Sequence, residues 1–492
     1  EVLLKTAPHL VRSLMLTVPV YGDRSRPYWK IWAGMILYDI FSFDKTHPGR
    51  RMLPGKTIRQ VFRHLDTEDL SGGAQYYDAQ AAYAERLCWE NILAAKEAGA
   101  TVLNYAEVTQ LHVENNRVTH LTCRDEASDT EFTIKGSANA VVLNTSGPWV
   151  DLVCDRAAEK SVSKSRKMGG TKGSHIVVDS FPGAPESALY VEAKTDGRPF
   201  FIVPWLGMYL IGTTDLPYKG DLDRIKADDS EIDYLVTETN NIIPAARLTR
   251  ESVKFTYSGI RPLPYAEGKA PGSITRRHIL HDHTKEGANN LISLIGGKLT
   301  TYRHVGEEMV DLAYKKMGKA APPCPTYDAP LPGAILADDD RITDAVDRYS
   351  DRVSMETVYY LYELYGSRAA DVLARTDDAP ELAEKITPEL IDIKAQIVYA
   401  AESEMAETML DINRRRTTIA MKSCYGLQTL DTLAEVLMKY CGWNQEKCDR
   451  QKVEYRTYME LNCIPDYAIS KGRVAKNWQL SGDKVVPVTV DR

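Results

Sequence analysis

A proline-rich segment divides this chain and limits how it can fold. Residues 320–333 hold five prolines in fourteen positions, a composition that favours an extended linker over a helix or a strand. Residues 1–319 alternate between strand-like and helix-like patterns, whereas residues 334–445 carry helical periodicity. The sequence therefore predicts an α/β (α+β) region, a linker and an all-α domain, followed by a tail, residues 446–492, to which it assigns no structure.

Composition excludes several classes of function. The 492 residues are 43% apolar and 26% charged, as in a globular protein. With 61 Lys+Arg against 68 Asp+Glu, the net charge is −7, which argues against a nucleic-acid partner. The longest apolar stretch, residues 31–38, is too short to span a membrane. Eight cysteines without a C-x-x-C motif or a secretory leader predict reduced thiols in the cytoplasm.

Two strand–turn–helix units could bind a ligand. The apolar strand 141–144 runs into the small residues of 145–149, which let a ligand approach the edge of a sheet. The apolar strand 291–295 is followed by two glycines and by Lys298 at the start of a helix. Free N–H groups and the partial positive charge of a helix start can stabilise an anion. An ordinary βα turn would explain the glycines but not the lysine.

A third pattern supports a nucleotide-binding architecture. Residues 84–98 form an amphipathic helix that ends at Gly99. Three strands follow as a meander, at 107–114, 117–124 and 131–135, with an Asn-Asn turn between the first two. This element order is typical of a dinucleotide-binding sheet that carries a small accessory sheet.

Three residues are candidates for chemistry. A glycine-rich loop leads to His175 at the start of a strand, where it could accept a proton, although a structural histidine is the commoner case. Arg261 stands between a glycine and a proline in a stiff turn, and Arg276 begins a later strand. Arginines held on stiff elements suit phosphate or carboxylate recognition. For either one taken singly, an ordinary surface arginine is the alternative.

The pattern H-x-x-H-x-H at His278, His281 and His283 resembles a zinc-binding motif. Because side chains alternate along a strand, His278 and His281 should point to opposite faces. We therefore predict no metal site.

Two further patterns have more than one interpretation. Trp29 and Trp32, with Lys30 between them, form an aromatic and basic patch that fits either a membrane interface or the core. Residues 414–416 are three arginines in a helical stretch, and we expect a solvated or inter-domain face of ion pairs. The acidic partners available nearby are Glu404, Glu407 and Asp411.

Taken together and in order, six segments resemble FAD-dependent glycerol-3-phosphate dehydrogenases. The segments are NTSGPWVD (144–151), GTKGSHIVV (170–178), FFIVPWLGMYLIGTTD (200–215), YSGIRPL (257–263), SITRRHILH (273–281) and GGKLTTYR (296–303). Segments 1–11 and 400–417 are similar to this family as well, so the likeness extends from residue 1 to about residue 440.

The resemblance implies a flavoprotein fold of the D-amino-acid-oxidase type. A Rossmann-like FAD-binding domain would be interleaved with an antiparallel-sheet substrate domain, and a helical cap would follow. The FAD part is expected at about 70–160 and 285–319, and the substrate part at about 1–69 and 161–284.

The resemblance also implies roles for individual residues. His175 would take the hydroxyl proton while a hydride passes to the flavin N5 atom. Arg261 would stabilise the developing alkoxide and help to bind the phosphate, Arg276 would clamp the phosphate, and Lys298 would steady charge near the flavin edge. The expected cofactor-binding residues are Ser146, Gly147, Gly296, Gly297, Lys298, Leu299 and Thr300.

The chain departs from the family pattern at two places. No G-x-G-x-x-G turn, which binds the pyrophosphate in this fold, occurs in the 492 residues, and residue 1 is Glu. We therefore expect that the natural protein begins upstream. In addition, Glu85 precedes Arg86 where relatives tend to carry paired aspartates.

The expected function is oxidation of sn-glycerol 3-phosphate to dihydroxyacetone phosphate, with electrons passed on to quinone. The enzyme would be cytoplasmic and peripheral on the cytoplasmic face of the membrane, and we expect a homo-oligomer. The sequence leaves three alternatives open: an oxidase that uses oxygen, an amine or amino-acid oxidase of the same fold, and a non-catalytic remnant.

Overall fold

A computed structural model describes residues 1–22, 28–41, 49–157, 165–268, 271–422 and 424–470. The strands in these residues are β1 (Val11–Tyr21), β2 (Arg51–Pro54), β3 (Leu70–Ala81), β4 (Ala106–Glu114), β5 (Arg117–Asp125), β6 (Thr130–Lys135), β7 (Val142–Asn144), β8 (Thr171–Val178), β9 (Ala188–Glu192), β10 (Pro199–Trp205), β11 (Met208–Gly212), β12 (Leu216–Pro217), β13 (Val253–Arg261), β14 (Ile279–Asp282) and β15 (Leu291–Ile295).

The helices alternate with these strands and then continue alone. They are α1 (Val2–Thr6), α2 (Tyr28–Phe41), α3 (Gly55–Val61), α4 (Ala84–Glu97), α5 (Val150–Asp155), α6 (Asp229–Ile242), α7 (Tyr302–Lys316), α8 (Asp340–Tyr349), α9 (Met355–Tyr365), α10 (Ala369–Asp378), α11 (Ala395–Ser403), α12 (Leu430–Tyr440), α13 (Gln445–Asn462) and α14 (Asp466–Ser470).

The largest sheet has nine strands in the order β12-β8-β11-β10-β9-β1-β3-β2, with β13 paired to β8. Its pairs are antiparallel except for β1 and β9. Strand β8 pairs with β13 along the whole of one edge, and with β11 and β12 at the two ends of its other edge. Nearly all of its residues are buried, which fits the run of small and β-branched side chains there.

Two smaller sheets confirm the strand–turn–helix units and the meander that the sequence predicts. Strands β7 and β15 run in parallel and pair Asn144 with Ser293, so their carboxyl ends lie at one sheet edge. Strands β4, β5 and β6 form the meander. At its first turn Asn115 and Asn116 have φ of 50° and 60°, the left-handed backbone that asparagine tolerates. Helix α4 ends before Gly99, whose φ is 93°.

Helices α8 to α14 form the C-terminal region. The helical periodicity of residues 334–445 is thus divided among several short helices. Between α9 and α10 the chain turns at Gly366, with φ of 60°, and a Cβ there would overlap the Gly333 carbonyl. Further on, Met405 has φ of 54°, and a π-helical turn covers residues 411–416. The sequence assigns no structure to residues 446–492. In the structure, helix α13 covers residues 445–462, and residues 471–492 lie outside the described residues.

A buried ion pair joins helix α4 to the helical region. Nη1 of Arg86 lies 2.6 and 2.8 Å from the carboxylate oxygens of Glu404, and neither side chain is exposed. The Arg86 guanidinium also lies 4.5 Å from the Tyr365 ring centre. Because both charges are removed from water, each depends on the other for compensation.

The run of arginines takes part in the same contact surface. Arg414 pairs with Glu85 of α4, and Arg415 Nη1 lies 2.8 Å from Asp411. An ion-pair face is thus present, but among the described residues only Asp411 of the three expected partners pairs with this run, since Glu404 pairs with Arg86 and Glu407 with Lys447. The structure also shows that Glu85, the departure from the family pattern, serves as the partner of Arg414.

Replacing Arg86 with Met should destabilise the fold strongly, because Glu404 would remain buried without a counter-charge. We expect a loss of about 3–5 kcal/mol in the free energy of unfolding, measured by urea denaturation. The control is Arg12→Met, since Arg12 and Glu363 form an exposed pair that contributes little. Equal losses of unfolding free energy in Arg86→Met and Arg12→Met would show that the buried pair contributes no more than the exposed one.

Candidate active site

His175 lies on the central strand β8, opposite Tyr257 of β13 and Gly212 of β11. Its ring stacks on Tyr257 with 4.9 Å between ring centres. A Cβ on residue 212 would lie 2.6 Å from Cδ2 of His175. Gly212 therefore makes room for the imidazole on this face of the sheet.

The surroundings of His175 keep it neutral. Among the described residues, its buried Nδ1 atom has no hydrogen-bond partner. Burial, and then the positive charge of Arg261, lower the pKa of His175 to about 4. At neutral pH the imidazole is therefore unprotonated and able to accept a proton.

Arg261 is held by the segment that follows β11. Its Nη1 lies 3.1 Å from Oδ1 of Asp215, and its Nη2 donates to Oγ1 of Thr213 and the Thr214 carbonyl, each at 3.1 Å. A Cβ on Gly173 would overlap the Arg261 guanidinium, so the glycine allows this position. Burial lowers the pKa of Arg261, but a guanidinium remains charged at physiological pH.

Two more arginines converge on Asp215. Nη2 of Arg276 lies 3.7 Å from Oδ2 of Asp215, and Nη1 of Arg198 donates to the Asp215 carbonyl at 2.7 Å. Arg198 also pairs with Asp196, whose Oδ2 lies 3.6 Å from its Nε, so three arginines and two aspartates leave a net charge of about +1. The structure thus brings together Arg261 and Arg276, as the sequence predicts. Sequence reasoning missed Arg198 and Asp215, although Asp215 is the acidic end of the otherwise apolar segment 200–215.

A glycine turn at the end of β15 lies against the segments that carry these arginines. Gly296 and Gly297 have φ of 77° and 92°, so both need the left-handed freedom of glycine. A Cβ on Gly296 would lie 2.9 Å from the Arg277 carbonyl oxygen and 3.4 Å from Cδ of Pro264. Pro264 follows Arg261 closely, and Arg277 is next to Arg276.

The other cofactor candidates lie at the same sheet edge. Oγ of Ser146 donates to Oδ1 of Asn144 at 2.7 Å, which fixes the turn after β7. Gly147 has φ of 58° and open space where a side chain would stand. Lys298, Leu299 and Thr300 are exposed at the start of the helix that follows Gly297. The glycine backbone of these turns and the N–H groups at the helix start, next to Lys298, are therefore suited to binding a flavin.

As predicted for the motif H-x-x-H-x-H, His278 and His281 contact different partners. His278 Nε2 lies 2.6 Å from Glu308, whereas His281 and His283 both contact Glu286, at 3.0 and 2.6 Å. Lys167 Nζ lies 2.8 Å from the other oxygen of Glu286. Although burial raises it, hydrogen bonds from Lys167 and His281 hold the pKa of Glu286 at about 2. Sequence reasoning missed this ion-pair network because Glu286 lies outside the motif.

Comparison with known proteins identifies the class. Residues 1–303 match the family model of FAD-dependent oxidoreductases, and residues 324–448 match the C-terminal domain of alpha-glycerophosphate oxidase. The chain is thus an FAD-dependent oxidoreductase with a C-terminal helical region, which confirms the predicted cofactor and fold class.

Individual relatives narrow the assignment. A glycerol-3-phosphate dehydrogenase of Synechocystis sp. is 58% identical over 95% of this chain and 86% of its own length. The D-erythritol 1-phosphate dehydrogenase of Brucella abortus is 34% identical over 85% of this chain and 80% of its own length. The structure of the glycerol-3-phosphate dehydrogenase from Bacillus halodurans, complexed with FAD, aligns with a TM-score of 0.74 and 26% identity, over 94% of this chain and 84% of that chain. The chain belongs to the FAD-dependent glycerol-3-phosphate dehydrogenase family.

Gly173→Ala should displace Arg261 with little loss of stability, because the added Cβ meets the end of a flexible side chain. We expect at least about tenfold weaker binding of inorganic phosphate, the loss of roughly one charge-assisted hydrogen bond, measured by calorimetry. Gly259→Ala is the matched control, since Gly259 pairs with Gly173 and has open space around it. Unchanged phosphate binding in Gly173→Ala would show that Arg261 does not meet the anion.

Proposed function

We infer that this protein catalyses the FAD-dependent oxidation of sn-glycerol 3-phosphate to dihydroxyacetone phosphate. The observation that carries the inference is the convergence of Arg261 and Arg276 on Asp215, with Arg261 on the same sheet as a neutral His175. A secondary alcohol that bears a phosphate needs these groups, a proton acceptor and a cationic pocket for a dianion. The relative that is 58% identical over most of the chain supports this substrate.

Arg276 and Arg261 would share the binding of the substrate. The Arg276 side chain is 48% exposed, and its nearest acidic oxygen is 3.7 Å away, so its donors can reach a phosphate. Arg261 is held by contacts on two of its nitrogens, and a guanidinium fixed in this way costs little reorganisation when charge develops on a nearby oxygen. We therefore assign the phosphate to Arg276 and Arg261 together, and the developing alkoxide to Arg261.

His175 would act as the base for the hydroxyl proton. A ring nitrogen accepts the proton from the secondary hydroxyl as the carbon–hydrogen bond breaks. FAD, when bound, supplies the acceptor for the hydride. Arg261 disfavours the imidazolium that forms, which keeps His175 ready to release the proton after turnover.

The glycine turn and Lys298 would hold the flavin. Backbone groups of Ser146, Gly147, Gly296 and Gly297 can approach a cofactor closely, because the two sheet-edge turns present little side-chain bulk. We propose that Lys298 and the helix start, with Leu299 and Thr300, place positive charge near the flavin edge.

A dehydrogenase that passes electrons to quinone is our preferred variant, and an oxidase using oxygen is the alternative. The exposed face of α2 supports peripheral contact with the membrane, where quinone resides. Trp29, Trp32, Leu37 and Ile40 are 65%, 49%, 54% and 59% exposed, so burial of the tryptophans in the core is excluded. Among the described residues, no helix is long and apolar enough to cross a bilayer. We propose that α2 lies on the cytoplasmic face; the homo-oligomer stays a prediction.

An amino-acid oxidase of the same fold is a weaker candidate. A carboxylate carries one charge and needs one arginine, whereas this site presents two arginines, Arg261 and Arg276, beside one aspartate. Turnover of an amino acid, with none of any phosphate ester, would favour it.

His175→Gln should slow oxidation of sn-glycerol 3-phosphate by about 10²–10⁴-fold, the usual contribution of a general base. The test is dye-linked turnover by the FAD-loaded protein. Because burial and Arg261 depress the pKa of His175 to about 4, the base stays unprotonated as the pH falls through 6.5. Wild-type kcat/KM, calculated for the dianionic form of the substrate, should therefore be lost only near the lower value.

The control is His64→Gln, since His64 is exposed and should leave kcat unchanged. Wild-type activity in His175→Gln would exclude this residue as the base.

Trp29→Ala/Trp32→Ala should weaken binding to vesicles of phosphatidylcholine and phosphatidylglycerol by at least about tenfold, because two large apolar side chains would no longer enter the interface. Co-sedimentation measures the bound fraction. The matched control is Leu336→Ala/Met355→Ala, which truncates side chains that are 62% and 61% exposed in the helical region. Unaltered binding of the tryptophan variant would remove α2 as the anchor.

A further inference from the structure

Asp215 is the one acidic residue, among those described, that contacts both substrate-facing arginines. Its side chain is 13% exposed and lies between Arg261 at 3.1 Å and Arg276 at 3.7 Å. Its own carbonyl oxygen accepts a hydrogen bond from Arg198. Asp215 is therefore tied to all three arginines of the site.

The segment that presents Asp215 is anchored from its other side. Oγ1 of Thr214 donates to Oε1 of Glu231 at 2.6 Å and accepts from the Ser174 N–H at 2.9 Å. Glu231 is in turn 2.7 Å from Nζ of Lys172 and takes part in the capping box that starts α6 with Asp228. A helix start, a buried lysine and strand β8 thus all fix this short segment.

Thr213, Thr214 and Asp215 contact different partners. The side chain of Thr213 and the carboxylate of Asp215 contact Arg261, whereas the side chain of Thr214 contacts Glu231. The backbone at Asp215 is therefore anchored through its neighbour Thr214. Its carboxylate extends from this anchored segment to both guanidinium groups.

We propose that Asp215 is a positioning residue that preforms the phosphate clamp: its carboxylate holds Arg261 and Arg276 together. Two guanidinium groups around one carboxylate keep a net positive charge of about +1 toward a phosphate monoester dianion. This inference rests on the proposed function, because it assigns the phosphate of that substrate to these arginines.

Asp215→Asn separates positioning from simple electrostatics, because the two effects have opposite signs. Asparagine keeps the shape but loses the negative charge. If Asp215 only reduced the positive field, its loss would make the site more positive by one charge and tighten the binding of phosphate. If Asp215 positions the arginines, the same change weakens binding, because the guanidinium groups lose the fixed partner that orders them.

The experiment measures dissociation constants for inorganic phosphate and sn-glycerol 3-phosphate by calorimetry on the FAD-loaded protein. We expect binding of both ligands to weaken about tenfold in Asp215→Asn, comparable to one charge-assisted hydrogen bond. The bound FAD content and the melting temperature should stay unchanged, which a general structural role would not allow. Asp223→Asn is the control, since it removes an equal charge from an exposed position nearby in sequence.

Equal or tighter phosphate binding in Asp215→Asn would overturn the inference while leaving the proposed function intact, provided that the wild type binds sn-glycerol 3-phosphate. A wild type that does not bind it would instead overturn the proposed function. Thr213→Val serves as a second variant if Asp215→Asn does not fold. It removes a hydrogen bond to Arg261 without a change of charge, so it should also weaken phosphate binding, and unchanged binding would again count against positioning.

Discussion

Strand β8 is hydrogen-bonded along both edges, and the geometry of the site follows from this constraint. Its register with β13 places Tyr257 beside His175 and Arg261 beside Thr171, while its register with β11 places Gly212 beside His175. A slip by one residue would turn His175 to the opposite face of the sheet. Glycines at the contact points then leave room for an imidazole and a guanidinium above the backbone. Backbone pairing thus fixes the positions of His175 and Arg261 at once.

Charge then gives the two residues different roles. Burial removes His175 from water and the neighbouring Arg261 repels a proton, so the histidine is neutral. The arginines keep their charge because Asp215 and backbone carbonyls compensate part of it. The result is a cationic site with an unprotonated base beside it. Oxidation of a phosphorylated alcohol needs this combination, whereas an isolated arginine or histidine would satisfy only half of it.

The sequence predicts what depends on local pattern. The strand–turn–helix units at β7 and β15, the meander with its Asn-Asn turn, and the family to which the chain belongs were all accessible from consecutive residues. Helical periodicity in residues 334–445 did not show where the helices end; at the turn after α9, for example, Gly366 packs against Gly333, which is distant in sequence. Asp215 and Glu286 were missed for a similar reason, since each gains its meaning from arginine, lysine or histidine partners that the fold brings near. The exposure of Trp29 and Trp32 could not be predicted from the sequence, because an apolar helix has the same sequence pattern whether it packs in the core or faces solvent.

We infer that Arg261, Arg276 and His175 form the site where sn-glycerol 3-phosphate is oxidised. An anaerobic absorbance titration of the FAD-loaded protein with this substrate is the most direct test, since it needs no assumption about the electron acceptor. We expect the flavin band to bleach with an endpoint close to equivalence, and glycerol without its phosphate to have no effect at the same concentrations. A flavin that stays oxidised with sn-glycerol 3-phosphate, but bleaches with an amino acid, would contradict this inference.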